Sequence, residues 1–299
     1  MPRTPPSLEL ALLHHRAGRL SQAAAIYEQI LKLQPRHPDA LNLLALICQQ
    51  QGKLPRADQL LVKAIAAQPQ AAPYRINHGH VLRALGRTEA ALQAFTQAQT
   101  LDPTLAEAPH QAGNLLKALD RFPEAVAALR EAARLAPRQA AIWLNLGVAT
   151  LETGATTEAI AAFQQALALE PGRPEAHNIL GHALFTAGRC DEARAAFAEA
   201  LRLRPDFAPA HNNLGRLCKA IGLLPEAVAH FRDALAAQPN PDTHSNLLYA
   251  LNYLPEIEPG AVLAEHRRWH ALYARPLAPV RPLAPASDLG TRPLRVGYL

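Results

Sequence analysis

The chain has 299 residues, of which 49% are hydrophobic and 18% charged, so it can build a core and does not have the composition of a disordered protein. Aromatic residues make up only 5%, which favours helices packed through Ala, Leu, Val and Ile over sheets. Lys and Arg outnumber Asp and Glu by 30 to 25 without forming a basic block. This distribution is not that of a nucleic-acid-binding protein.

The N-terminal residues and the cysteines indicate in which cellular compartment the protein lies. The first residues, MPRTPPSLEL, lack the basic and apolar regions of a secretion signal, and no long uncharged apolar run predicts a membrane span. Three scattered cysteines do not make a disulfide framework. We therefore expect a cytoplasmic protein in a reducing environment.

A period of 34 residues organises most of the sequence. Proline recurs at 35, 69, 103, 137, 171, 205 and 239, and glycine, or once Asp120, recurs at 18, 52, 86, 120, 154, 188 and 222. An alanine follows each glycine position five residues later. Seven units in phase, without an insertion, predict a helical repeat array.

Each unit is predicted to contain two amphipathic helices, which in the fifth unit cover 141–153 and 157–170. Gly154 ends the first helix because it tolerates left-handed geometry, and Pro171 ends the second because it lacks an amide hydrogen. Glycine recurs inside the first helix, where we expect the helices to cross closely. A larger residue fills the facing position of the second helix: Tyr27, Leu61, Phe95, Leu129, Phe163, Phe197 and Phe231.

The segment AAIWLNLGVATLETGATTEAIAAFQQALALEP, residues 140–171, resembles the tetratricopeptide repeat (TPR). The resemblance extends from Thr4 to about Pro241, and the fourth unit departs from it, with Pro109 and Asp120 in place of the usual aromatic residue and glycine. It implies an all-α fold, a right-handed superhelix or α-solenoid, whose first helices line a concave groove. We expect residues 1–241 to form seven such repeats.

That groove is the predicted binding site for extended polypeptide. In the family's architecture the residue before the Leu-Gly, Ala-Gly or His-Gly pair points into it, and side-chain amides there match a peptide backbone. Basic residues follow, which favours acidic segments. The candidate groove residues are Asn77, Gln111, Asn114, Asn145, Asn213, Arg83, Lys117 and Arg216.

This series of amides is incomplete. Asn42, Asn178, Asn212 and Asn246 lie one position earlier in their units, and Glu9 and Leu43 replace the amide in the first two. We therefore expect the groove to begin at the third repeat. The alternative is that these are solvated or locally bonded polar residues without a binding role.

The other candidate residues are better explained by packing than by metal binding or catalysis. His177 and His211 occupy the position of Trp143, so we interpret them as packing substitutes and not as metal ligands. His266 and His270 are four apart on a predicted helix, but no third metal ligand is near them in sequence. Cys48 and Cys218 fall at a leucine position and are interpreted as core residues; no catalytic, metal or cofactor motif is found.

The period fails after Pro241. Residues 242–275 are predicted to form a partial eighth repeat with a capping helix. Prolines at every third position from 276 to 285 predict a polyproline II linker over 276–292. Alternation over 293–299 predicts a β-strand that has no partner in this chain, so we expect it to begin a further domain.

The residues HSNLLYALNYLPEIEPGAVLAEHRRWHALYARPLAP, followed by RPLRVGYL, are similar to the junction after the repeats in bacterial proteins of the O-linked N-acetylglucosamine transferase family (SPINDLY-like). The resemblance implies that 293–299 starts a truncated GT-B catalytic domain using a UDP-sugar donor. Its catalytic residues would lie beyond Leu299, and no cofactor is expected in residues 1–299.

Two functions follow from these interpretations. In one, the repeats recruit extended or disordered segments bearing Ser or Thr for a protein O-glycosyltransferase, and residues 1–299 are not an enzyme by themselves. In the other, the protein is a stand-alone TPR scaffold. Neither nucleic acid nor membrane is an expected partner, and self-association through the convex face is left open. A clamp for C-terminal carboxylates is disfavoured, because Lys117 and Lys219 are far apart in sequence.

Overall fold

A computed structural model describes residues 7–255 and 257–274, and it contains sixteen α-helices within them. The chain divides into two compact units between Leu203 and Arg204. The predicted linker 276–292 and strand 293–299 lie outside the described residues.

The first unit consists of antiparallel helix pairs. Each pair is one predicted repeat, and neighbouring pairs pack side by side. The helices are α1 Leu8–Arg16, α2 Leu20–Leu33, α3 Pro38–Gln50, α4 Leu54–Ala67, α5 Ala72–Ala84, α6 Thr88–Leu101, α7 Glu107–Ala118, α8 Phe122–Leu135, α9 Ala140–Glu152, α10 Thr156–Leu169, α11 Pro174–Thr186 and α12 Cys190–Leu203.

The turn inside each repeat requires left-handed backbone. Gly154 has a φ of 81°, and Asp120, at the corresponding position of the fourth repeat, has a φ of 56°. Asp is one of the few residues other than glycine that enters this region at modest cost. The fourth repeat therefore keeps the same turn despite its different residue.

The core of each repeat is the predicted contact between a small and a large side chain. Phe163 is fully buried, and a Cβ placed on Gly147 would lie 2.5 Å from its Cε1 atom. No ordinary carbon contact is that short, so the close crossing of α9 and α10 depends on the missing side chain. The large residue of all seven repeats is buried to 0% exposure: Tyr27, Leu61, Phe95, Leu129, Phe163, Phe197 and Phe231.

The second unit contains the seventh repeat and the helices after it. Its helices are α13 Ala208–Ala220, α14 Leu224–Ala237, α15 Pro241–Asn252 and α16 Pro259–Trp269, and a π-helical turn spans His270–Ala274. Helix α15 occupies the place of the predicted eighth first helix. Helix α16 packs against it, with Glu265 Oε1 2.6 Å from Nε2 of the buried His244.

Candidate functional site

The predicted groove residues of the first unit lie on the first helices of three successive repeats. Asn77 is on α5, Gln111 and Asn114 are on α7, and Asn145 is on α9; all four are half-buried. We call the surface of α3, α5, α7 and α9 that carries Asn42, Asn77, Gln111 and Asn145 the first-helix face. Asn213 and Arg216 lie on α13 in the second unit.

Amides on the first-helix face bond from one repeat to the next. Asn77 Nδ2 donates to Asn42 Oδ1 at 2.8 Å, and Asn145 Nδ2 donates to His110 Nε2 at 3.2 Å. In both pairs the residues are 35 apart, because a side chain at one position meets the side chain one position later in the next repeat. Asn42, which lies out of phase in the sequence, is therefore a partner of the predicted amide.

Basic residues on the same face bond to amides in a second regular pattern. Arg83 NH1 donates to Gln111 Oε1 at 3.0 Å, and Lys117 Nζ donates to Asn145 Oδ1 at 2.7 Å. The two partners are 28 residues apart in each case. The cation of one repeat therefore reaches the amide of the following repeat, twice in the same register.

These contacts leave hydrogen-bonding capacity on the face. A side-chain amide has two N–H donors and an oxygen with two acceptor sites. Asn77 uses one donor in these contacts, and Asn145 uses one donor and its oxygen. Asn114 Oδ1 is buried and has no hydrogen-bond partner among the described residues. Asn77 and Asn145 are thus held in position without being saturated, whereas the Asn114 oxygen is closed to an incoming ligand.

The electrostatics of the face centre on Lys117 and His110. Burial lowers the pKa of Lys117. Burial also lowers the pKa of His110, the positive charge of Lys117 lowers it further, and Glu107 acts in the opposite direction. A neutral His110 agrees with its role as acceptor from Asn145, since a protonated Nε2 has no lone pair.

The second unit carries contacts of the same chemistry. Asn213 Oδ1 accepts from Arg216 at 3.4 Å. Lys219 Nζ donates to Asn246 Oδ1 at 3.3 Å and lies 4.7 Å from the centre of the Tyr249 ring. Burial lowers the pKa of Lys219, and Arg216 lowers it further.

The histidines at the tryptophan position reproduce the polar contact of Trp143. Trp143 Nε1 donates to the carbonyl of Pro137 at 2.9 Å, and His177 Nε2 donates to the carbonyl of Pro171 at 2.8 Å. His211 makes the same contact in the seventh repeat, so the interpretation of packing substitutes agrees with the structure. That interpretation misses a second feature of His211, its proximity to His230 on α14.

The remaining sequence candidates show no assembled site. Cys48 and Cys218 are buried, as predicted for core residues, and burial raises the pKa of the Cys48 thiol. His266 and His270 are both exposed. Within the described part of the chain, no helix is both long and apolar enough to cross a membrane.

Stacked pairs of antiparallel helices with a 34-residue period, and a polar surface along their first helices, define an α-solenoid repeat protein. Models of the tetratricopeptide repeat match residues 110–174 and 180–240, residues 14–76 and 150–199, and residues 72–105. The chain belongs to the tetratricopeptide repeat proteins, which are scaffolds for protein–protein interaction. No curated protein sequence matches the chain.

Solved structures of other repeat proteins are similar to this chain. YrrB, described as a TPR protein with an unusual peptide-binding site, is 26% identical, with a TM-score of 0.57 over 64% of this chain and 96% of YrrB. MamA is 26% identical, with a TM-score of 0.52 over 54% of this chain and 94% of MamA. Part of a TPR protein from Cytophaga hutchinsonii, at 17% identity and a TM-score of 0.65 over 81% of this chain and 99% of that one, shows the fold alone.

Proposed function

We propose that the first-helix face of the first unit binds extended polypeptide, with a preference for acidic segments. The observation that carries this proposal is the repeated pairing of a cation with an amide, Arg83 with Gln111 and Lys117 with Asn145, in one register. Polar groups that recur at a regular spacing can bond to the regularly spaced N–H and C=O groups of an extended polypeptide.

The preference for acidic segments follows from the partners of the two cations. Arg83 and Lys117 donate to neutral amides, which orient the positive groups without neutralising them. Glu107 is a carboxylate on the same helices, and its Oε1 lies 3.0 Å from His80 Nε2. Cations held by neutral partners leave the face attractive to Asp and Glu side chains.

The amides would recognise the peptide backbone. Asn77 and Asn145 each keep an N–H donor that their neighbours do not use, and a backbone carbonyl can accept from it. Recognition of this kind is weakly selective for side chains, so the acceptable ligands are extended or disordered segments and not one folded protein. The peptide-binding site for which YrrB is described supports the same class of ligand.

Fluorescence polarisation with a labelled, unstructured peptide rich in Glu and Ser tests this proposal. We expect the double variant Arg83→Ala, Lys117→Ala to bind at least about tenfold more weakly, because charge-assisted hydrogen bonds contribute about 1.5–3 kcal/mol each. The matched control is Lys63→Ala, which removes an exposed lysine from the second helix α4. Equal affinity of the double variant and the control would contradict the proposal.

A narrower function is recruitment of Ser- and Thr-bearing acceptors for a protein O-glycosyltransferase that uses a UDP-sugar. Only the sequence of residues 244–299 favours it, and the family matches and similar structures support the repeats alone. A stand-alone scaffold agrees with these comparisons at least as well. A glycosyltransferase domain encoded directly after Leu299 would decide for recruitment, and its absence from the reading frame would decide for the scaffold.

We place this function in the cytoplasm. The support is that Cys48, Cys190 and Cys218 are thiols and not disulfides, and that two of them are buried. Such cysteines suit a reducing compartment.

A further inference from the structure

Three potential metal ligands of the seventh repeat converge between α13 and α14. His211 Nδ1 lies 3.3 Å from His230 Nδ1 and 3.8 Å from Asp233 Oδ2. One ligand atom from each of the three residues lies within 4.8 Å of the others. Both histidines are half-buried, and Asp233 is exposed at the rim.

The tautomer of a neutral His211 ring is set by its second nitrogen. His211 Nε2 lies 2.9 Å from the carbonyl oxygen of Pro205, which can only accept, so Nε2 carries the hydrogen. In the neutral ring Nδ1 then has the lone pair, and this atom is the one that lies close to His230 and Asp233. A histidine that donates from one nitrogen to a carbonyl and offers the other is the usual arrangement of a metal ligand.

The spacing of the nitrogens suits a tetrahedral metal ion. Zinc binds histidine nitrogen at about 2.0–2.1 Å, which places two nitrogens of a tetrahedral site about 3.3–3.4 Å apart. The observed 3.3 Å between the two Nδ1 atoms matches this distance. Without the metal, His230 Nδ1 donates its hydrogen to His211 Nδ1; on metal binding that hydrogen moves to Nε2 of His230, so that both Nδ1 atoms present lone pairs. The three ligand atoms lie within 4.8 Å of one another, so the Asp233 carboxylate must approach the histidine nitrogens by up to about 1.5 Å. Rotation of this exposed side chain supplies that movement.

His230 distinguishes this repeat from the others. The equivalent position carries alanine in the third to sixth repeats: Ala94, Ala128, Ala162 and Ala196. In the sixth repeat, His177 makes the same carbonyl contact as His211 but is accompanied by Ala196 and Glu199. The chain thus contains a repeat with the same first histidine and without the second.

We propose that His211, His230 and Asp233 bind a divalent transition metal ion, Zn²⁺ being the ion their spacing and ligand types suit best. Three protein ligands leave the fourth tetrahedral position to water. The bound ion would join α13 to α14, next to the contact that fixes His211 on Pro205.

The test is isothermal titration of the untagged chain with ZnCl₂, in a Cys190→Ser background that removes the half-buried thiol. We expect one equivalent of Zn²⁺ to bind, and His230→Ala to weaken binding by at least about tenfold. Alanine is the residue of four other repeats at this position, so the variant should remain folded, which circular dichroism checks. Titration with Co²⁺ should give the intense visible absorption of a tetrahedral ion in the wild type and lose it in the variant.

Two control variants make the result specific. His177→Ala removes the histidine of the sixth repeat, and His266→Ala removes one of the exposed histidines four residues apart. Both should bind Zn²⁺ as the parent chain does. Absence of Zn²⁺ binding would overturn the proposal, and so would binding that is lost in His266→Ala and kept in His230→Ala. The contact between His211 and His230 would then be only a hydrogen bond between two rings.

Discussion

The absence of a side chain at Gly147 allows helices α9 and α10 to cross closely. The ring of Phe163 occupies the space in which a Cβ of residue 147 would lie, and the same relation holds between Gly181 and Phe197. Because Phe163 is fully buried, the ring cannot move outward without opening the core of the repeat.

We predict that Gly147→Ala lowers the free energy of unfolding by about 1–3 kcal/mol, the usual cost of overpacking a core. Urea denaturation followed by circular dichroism measures the change. The control is Gly172→Ala, since nothing lies within 4 Å of a Cβ there and its φ is not positive. A loss of stability in Gly172→Ala as large as in Gly147→Ala would show that helix crossing is not the cause.

At the scale of the element, neighbouring first helices of the first unit are joined by polar contacts as well as by packing. His110 on α7 accepts from Asn145 on α9, and Lys117 on α7 donates to the same amide. The three side chains therefore connect two repeats through one asparagine. Protonation of His110 would remove one of these hydrogen bonds.

We predict that stability decreases as the pH falls through the ordinary range of histidine titration and below. The pKa of His110 is lower in the folded chain, so the unfolded chain takes up a proton first and is favoured as the pH falls. In His110→Ala, the melting temperature should depend less on pH between neutrality and mild acid. Some dependence should remain, because burial also lowers the pKa of His15. If the melting temperature of His110→Ala depended on pH as strongly as that of the parent chain, His110 would not be a source of the pH dependence.

At the scale of the whole molecule, a repeat protein is stabilised by contacts between neighbours, so its parts need not open together. In the second unit, α15 buries six residues, whereas none of the described side chains of α16 is fully buried. The contact of Glu265 with His244 and the hydrogen bond from Trp269 Nε1 to the carbonyl of Pro241 hold α16 in place.

We predict that amide hydrogens of 262–269 exchange faster than those of 244–252. The free energy of opening should be smaller for α16, because none of its described side chains is fully buried, whereas six residues of α15 are. Hydrogen exchange followed by mass spectrometry resolves the two segments. Equal protection would mean that α16 opens only together with α15.

The sequence predicted more of the fold than of the site. Gly154, Pro171 and Phe163 determine where helices end and cross, and their effects act within one repeat. The binding role of the candidate groove amides stays a prediction. Their partners were not predicted, since nothing in the sequence indicated that Asn42 and His110 bond to Asn77 and Asn145. His230 was missed as well. A comparison of the repeats could have found it, because four other repeats have alanine at this position.

The sequence by itself determined the helix pairs, the turns and the buried small and large residues, because these depend on backbone preferences and side-chain volume within 34 residues. Only the tertiary structure decided which polar side chains meet, at separations of 28 and 35 residues on the first-helix face and 19 at the two histidines. Those separations depend on how neighbouring helices are rotated and shifted against one another. Packing across the whole repeat sets that geometry, and no local pattern encodes it.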